Sequence, residues 1–181
     1  MQIDTMLTHQ LNALAGLSPA ADLLMILTAK WSVYILVLSI ALRWWLSSNR
    51  ADARHSAILC GLTTMLGLAI NQGILLFVHR PRPYELGITN LLVDRSVDFS
   101  FPSDHATVAF AIAVPLLFKR DRFAPLYLAA AFLVALSRVY VGIHFLGDIG
   151  GGALTASLAT CCVLALYKRD TKVDRLLVSL L

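Results

Sequence analysis

Arg138, His144 and Asp148 fall inside the stretch Ser137–Asp148, which lies between two long apolar runs. Ionisable side chains beside hydrocarbon are expensive, and by default they mark a functional site. The spacing of four between His144 and Asp148 places both on one face if the segment is helical, so that the carboxylate holds the imidazole. A carboxylate on one ring nitrogen fixes the tautomer and leaves the other nitrogen free to attack. The plainer alternative is a polar loop anchoring two helices at a membrane interface. Two further clusters carry compatible chemistry: His79-Arg80-Pro81-Arg82-Pro83-Tyr84 and Phe101-Pro102-Ser103-Asp104-His105. The planar fork of arginine suits phosphate oxygens. Ser103 stands where a helix begins, and free backbone N–H groups with the positive end of the dipole favour an anion there. Two histidines suit a nucleophile and a general acid. With no carboxylate cluster fit for magnesium or calcium, the chemistry expected is metal-free phosphoryl transfer without a cofactor.

These residues need elements to hold them, and the composition says of what kind. The chain is 58% hydrophobic and 14% charged, with a mean hydropathy of +0.73. A soluble domain is nearer 45–50% apolar and about 25% charged. The expected class is therefore all-α, an integral membrane helix bundle forming a single domain over residues 1–181. Residues 3–17 repeat apolar side chains at spacings of three and four, with Asp4, Thr5, His9, Gln10 and Asn12 between them. That helix is too polar to span and is expected to lie in the interface, with Ser18-Pro19 marking its exit. About five spans follow, at roughly 21–46, 55–78, 104–118, 123–143 and 145–167, with a long polar loop at 79–103. Short connections make neighbouring spans antiparallel.

Charge orients the bundle. Arg43, Arg50 and Arg54, then Lys119, Arg120 and Arg122, then Lys168, Arg169, Lys172 and Arg175 all fall on one side. By the positive-inside rule that side is cytoplasmic, and the three chemical clusters face outward. The net charge of +4 is thus a topology signal, and no nucleic-acid partner is implied. Gly147, Gly151, Thr155 and Ala159 form a small-residue stripe that lets helix backbones approach. Cys60, Cys161 and Cys162 lie in apolar runs, with no zinc-type spacing. Residues 1–16 lack the basic region of a cleaved signal peptide. Glu85, Asp94, Arg95 and Asp98 read as a solvated loop face.

The chain resembles the type-2 phosphatidic acid phosphatase superfamily, whose third motif is Ser-Arg, five residues, His, three residues, Asp. Ser137, Arg138, His144 and Asp148 match it at every position. The second motif, Pro-Ser-Gly-His, reads Pro102-Ser103-Asp104-His105, with aspartate for glycine. The first, Lys, six residues, Arg-Pro, keeps Arg82-Pro83 but has Leu75 at the lysine position. The resemblance implies that His144 attacks phosphorus, Asp148 orients it, and His105 protonates the leaving oxygen and then activates water. It also implies that Arg82, Arg138 and Ser103 hold phosphoryl oxygens. Arg80 and His79 are the nearest substitutes for the missing lysine, and Lys30, roughly 12 Å into the first span at 1.5 Å per residue, is a further candidate. Lys30 has two readings, snorkelling to the outer interface or contacting a diphosphate. Asp104 is expected to cap the third span, with contact to His105 or substrate hydroxyls as the alternative.

Within that superfamily, His-Arg-Pro-Arg-Pro before an aromatic residue together with Pro-Ser-Asp-His resembles the bacitracin-resistance-type undecaprenyl diphosphate phosphatases. The implied activity is hydrolysis of undecaprenyl diphosphate to the monophosphate at the outer face of a bacterial plasma membrane, recycling the cell-wall lipid carrier. Phosphatidylglycerophosphate, phosphatidic acid and lipid A phosphate would satisfy the same residues. A transporter would carry ionisable residues near the midplane of several helices, and only Lys30 and Asn71-Gln72 approach that. The implied partners are the lipid substrate and the membrane.

Overall fold

The computed structural model of the chain describes residues 2–169 and 171–180. Among them are α1 (Gln2–Asn12), α2 (Pro19–Leu46), α3 (Arg50–Leu75), α4 (Asp104–Phe118), α5 (Ala124–Tyr140), α6 (Leu146–Leu166) and α7 (Lys172–Leu180). Helix boundaries follow local chemistry. Ser18 caps α2 with Pro19 in its first turn, and the Asn49 side chain accepts from the backbone of Asp52 to start α3. Three helices, α2, α3 and α6, are long and apolar enough to cross a membrane, while α4 and α5 are apolar but shorter.

The bundle is built around α4. Ala106, Ala109, Phe110, Ala111, Ile112, Ala113 and Leu116 are all buried, so this helix is apolar around most of its circumference. It packs on α3, α5 and α6. Its approach to α6 is closest at Gly152, where a Cβ would lie 2.6 Å from the carbonyl oxygen of Ser103 and 3.0 Å from the nitrogen of Thr107. The outer faces stay apolar: Leu24, Trp31 and Leu38 on α2, Phe132 on α5 and Leu158 on α6 are all exposed. In water such a surface would aggregate. In hydrocarbon it is the expected exterior of a membrane protein.

Side-chain contacts confirm that the basic turns share one end of the bundle. Arg43 meets Asp121 at 2.5 Å, and both Lys119 (3.1 Å) and Arg169 (2.7 Å) reach Asp52. At that end the chain beyond the last expected span forms the helix α7. Its Asp174 is buried against His55 of α3 (2.8 Å) and also bonds the Tyr167 hydroxyl.

Two local expectations need correction, and both bear on the site. The N-terminal helix stops at Asn12 instead of reaching residue 17. The chain then turns through Gly16, whose N–H bonds Asp22 at 3.0 Å. The fourth span ends at Tyr140, not 143, because the chain reverses at Gly142 with φ +82°. A side chain at 142 would put its Cβ 2.3 Å from the Asn90 carbonyl oxygen, so only glycine fits.

Candidate active site

The reversal at Gly142 lifts His144 out of helix. The N–H groups of Ile143 and His144 both turn back to the Arg138 carbonyl, at 3.1 and 3.3 Å. His144 therefore sits in the loop before α6, and Asp148 lies one turn inside that helix. The shared helix face expected from their spacing does not form. Asp148 instead accepts the N–H of Phe145 at 2.8 Å, closing the first turn of α6.

The imidazole is nonetheless fixed. Its Nδ1 lies 2.8 Å from the carbonyl oxygen of Ser100, which can only accept, so Nδ1 carries the proton. Its Nε2 lies 3.3 Å from Nη1 of Arg82, which can only donate, so Nε2 presents a lone pair. The two contacts assign the same tautomer independently. Asp148 stands 3.5 Å from Nδ1 and acts one step removed, accepting the Ser100 hydroxyl while the Ser100 carbonyl holds the ring. Burial pushes the His144 imidazole down to about 4; the nearby Asp148 carboxylate opposes this, and the positive charges of Arg138 and Arg82 add to it. At neutral pH the ring is uncharged and able to act as a nucleophile.

Three arginines serve different purposes. Arg82 is buried, with Nε on the Asp98 carbonyl (2.8 Å), Nη1 on the Ile143 carbonyl (3.0 Å) and Nη2 on the Phe99 carbonyl (3.2 Å). It knits the long loop to the histidine loop. Burial lowers its pKa, although nearby anionic groups oppose that. Arg138, also buried, gives Nη1 to the Ala29 carbonyl at 2.9 Å, while its Nε is buried with no hydrogen-bond partner among the described residues. An unpaired buried donor on a guanidinium is costly, and an anionic oxygen would relieve it. Arg80 gives one Nη to Asp148 and the other to Asp4, each at 2.6 Å, and lies 3.8 Å over the Phe145 ring.

Ser103 is fully buried and is itself the N-cap of α4, its backbone N–H reaching the Asp148 carbonyl at 3.1 Å. His105 is half-buried in the first turn of α4, and its electrostatic neighbours are Arg138, His144 and Arg82. Two histidines, two arginines and a serine-capped helix N-terminus thus meet at one end of the bundle. They come from the long loop, α4, α5 and the α5–α6 turn.

The PAP2 superfamily profile matches residues 56–172, more than half of the chain. This chain belongs to the PAP2 superfamily. The undecaprenyl-diphosphatase BcrC of Bacillus subtilis (strain 168) is 32% identical over 147 residues, covering 80% of this chain and 75% of that protein. Two solved structures share the fold. The crystal structure of Aquifex aeolicus LpxE superposes with a TM-score of 0.71 at 22% identity, covering 88% of this chain and 93% of that one. That of a PAP2-type phosphatidylglycerolphosphate phosphatase from Bacillus subtilis gives 0.65 at 23%, covering 94% and 88%.

In this PAP2 member several candidates stand elsewhere than the motifs suggest. Arg80 is occupied by two carboxylates and is not available in place of the family lysine. His79 is exposed and packs on Phe99, ring centroids 4.6 Å apart. Lys30 pairs with the exposed Asp94 at 3.4 Å. Asp104 does not cap α4, since Ser103 does; it accepts a hydrogen bond from Asn71 at 2.7 Å. Leu75 is the last residue of α3.

Other residues do the positioning without belonging to any motif. Ser100 links Asp148 to His144. On α1, Asp4, Thr8 and Asn12 form a polar stripe at spacing four that docks on the histidine loop. Asp4 accepts the Gly147 N–H (2.7 Å), Thr8 the Leu146 N–H (2.9 Å), and Asn12 donates to the carbonyls of Tyr140 (2.8 Å) and Asn90 (2.9 Å). The first-turn donors of α6, which lack partners inside that helix, are thus satisfied from α1. The spacing of those three residues was the available signal in the sequence.

Proposed function

We propose that this PAP2 protein is a polyprenyl diphosphate phosphatase, converting undecaprenyl diphosphate to the monophosphate and inorganic phosphate through a phosphohistidine at His144. The observation that carries the reading is the neutral, Nδ1-protonated ring whose Nε2 lone pair lies beside Arg82. In the first step Nε2 attacks the terminal phosphorus. The bond from that phosphorus to the bridging oxygen breaks, and the leaving monophosphate takes a proton from His105. In the second step His105 removes a proton from water, the hydroxyl oxygen attacks the phosphohistidine, and phosphate leaves with neutral His144 restored. Arg138, whose Nε has no partner among the described residues, and Ser103 at the N-terminus of α4 receive the phosphoryl oxygens. Arg82 adds charge, although most of its donors already hold the loop.

Support for the isoprenoid substrate comes from the similarity to an undecaprenyl-diphosphatase over most of both chains. It also comes from the physical setting, in which the head group enters at a bundle end while the tail stays along the apolar exterior. The positive-inside rule puts the basic end in the cytoplasm and the histidines at the outer face of a bacterial plasma membrane. The test is phosphate release by the purified protein from undecaprenyl diphosphate, phosphatidylglycerophosphate and phosphatidic acid side by side. The reading expects the highest kcat/KM for the diphosphate. A preference for either glycerophospholipid overturns the substrate assignment while leaving the chemistry at His144 intact.

A further inference from the structure

The end of the bundle opposite the histidines holds a cleft of about 860 Å³ between α2, the α4–α5 turn and α5. No step of the proposed reaction uses it. Its mouth carries Arg43, Lys119, Arg120 and Arg122 against two carboxylates, Asp52 and Asp121, an excess of positive charge. Its wall is apolar, with Ile35, Leu42, Leu126 and Tyr127 among the lining residues. Ile35 lies eight residues from Arg43 along α2, so the wall runs roughly 12 Å into the hydrocarbon beneath the cations.

Two of the four cations, Arg120 and Arg122, are not used up by the fold. Lys119 is satisfied by Asp52 at 3.1 Å and Ser56 at 2.5 Å. Arg43 gives Nη2 to Asp121 and lies over the Phe123 and Tyr127 rings at 5.2 and 6.0 Å; its Nη1 is buried with no hydrogen-bond partner among the described residues. Arg122 lies 4.5 Å over the Phe123 ring and forms no ion pair among the described residues. Arg120 is exposed and makes no side-chain hydrogen bond or ion pair among them. It also ends α4 at φ +52°, the left-handed position where glycine is favoured. An arginine held at that position, with its side chain bonded to none of the described residues, fits a side chain whose partner lies outside the protein.

We propose that this cleft binds an anionic glycerophospholipid from the leaflet opposite the active site. The phosphate would be received by the exposed Arg120 and Arg122, with the charge of Arg43 behind them, and an acyl chain would lie along the wall formed by α2 and α5. The match is one of charge at the rim and hydrocarbon below it, at the depth where a phospholipid changes from head group to chain.

The test uses the full chain purified in a neutral detergent and titrated with phosphatidylglycerol, with bound lipid read by native mass spectrometry. Phosphatidylethanolamine and glycerol 3-phosphate serve as comparison ligands. The wild type is expected to take up phosphatidylglycerol saturably. R120Q/R122Q, altered only at exposed positions, is expected to weaken that binding about tenfold, while K172Q/R175Q, which removes two cations at the same end outside the cleft, leaves it unchanged. Equal uptake of phosphatidylethanolamine, equal loss in both double variants, or glycerol 3-phosphate binding as well as the lipid would each overturn the proposal.

Discussion

Arg80→Met separates two roles that an arginine beside a phosphatase site could have. Asp148 is fully buried, and its charge is balanced by the 2.6 Å bond from Arg80. Removing one partner of a buried pair typically costs about 3–5 kcal/mol, because the remaining charge is left uncompensated. Arg80 is about a quarter exposed, and Asp148 keeps the Phe145 N–H and the Ser100 hydroxyl, so the loss belongs at about 3 kcal/mol, the low end of that range. Catalysis should suffer as well. Asp148 holds the Ser100 hydroxyl, the Ser100 carbonyl holds Nδ1, and a displacement of about 1 Å in the nucleophile can cost roughly a hundredfold in rate. The assay is thermal unfolding together with phosphate release at limiting and saturating substrate. A positioning role lowers kcat with KM nearly unchanged, and Arg80→Met/Asp148→Asn recovers most of the lost stability while staying inactive. A rise in KM at constant kcat would refute this reasoning and return Arg80 to the phosphate-binding set.

Further outcomes follow from the geometry. Ser100→Ala removes the hydroxyl bond to Asp148 but keeps the carbonyl bond to His144, and should lower kcat roughly tenfold, equivalent to about 1.4 kcal/mol, in single-turnover kinetics. Asp4→Asn keeps an acceptor for the Gly147 N–H but removes charge beside Arg80, and thermal unfolding should show a loss of about 1 kcal/mol. Gly152→Ala forces α4 away from α6 and should destabilise by about 1–3 kcal/mol in the same assay. Because His144 is held at about 4 against its ordinary 6.5, the acid limb of kcat/KM attributable to it should lie well below pH 6. The same difference makes the unfolded chain take up that proton first on acidification, so stability should fall as pH drops from about 6.5 toward about 4.

Much of this was legible in the sequence because hydrocarbon imposes strict rules. α4 begins and ends where its apolar run does, and α2 and α6 match theirs within two residues. His105, His144, Arg82, Arg138 and Ser103 come together as three motifs on one side of a bundle require. The linear pattern does not encode what the loops do in three dimensions. The relation between His144 and Asp148 looked like a helical i, i+4 contact, but Gly142 turns the chain and passes the hydrogen bond to Ser100. Arg80 and Asp104 looked available for substrate, but their partners Asp4 and Asn71 are 76 and 33 residues away. Lys30 could be placed by depth along α2, whereas its pairing with Asp94 depends on the path of the long loop.

The central claim is that phosphoryl transfer passes through Nε2 of His144. Rapid acid-free quenching of the wild type and of His105→Ala, after mixing with undecaprenyl diphosphate labelled in its terminal phosphate, tests it most directly. The account predicts an acid-labile, base-stable phosphoenzyme mapped to His144, formed and broken down more slowly in His105→Ala, which loses both the leaving-group acid and the water-activating base, and absent in His144→Ala. Label on any other residue, or turnover by His144→Ala at the wild-type rate, would contradict it.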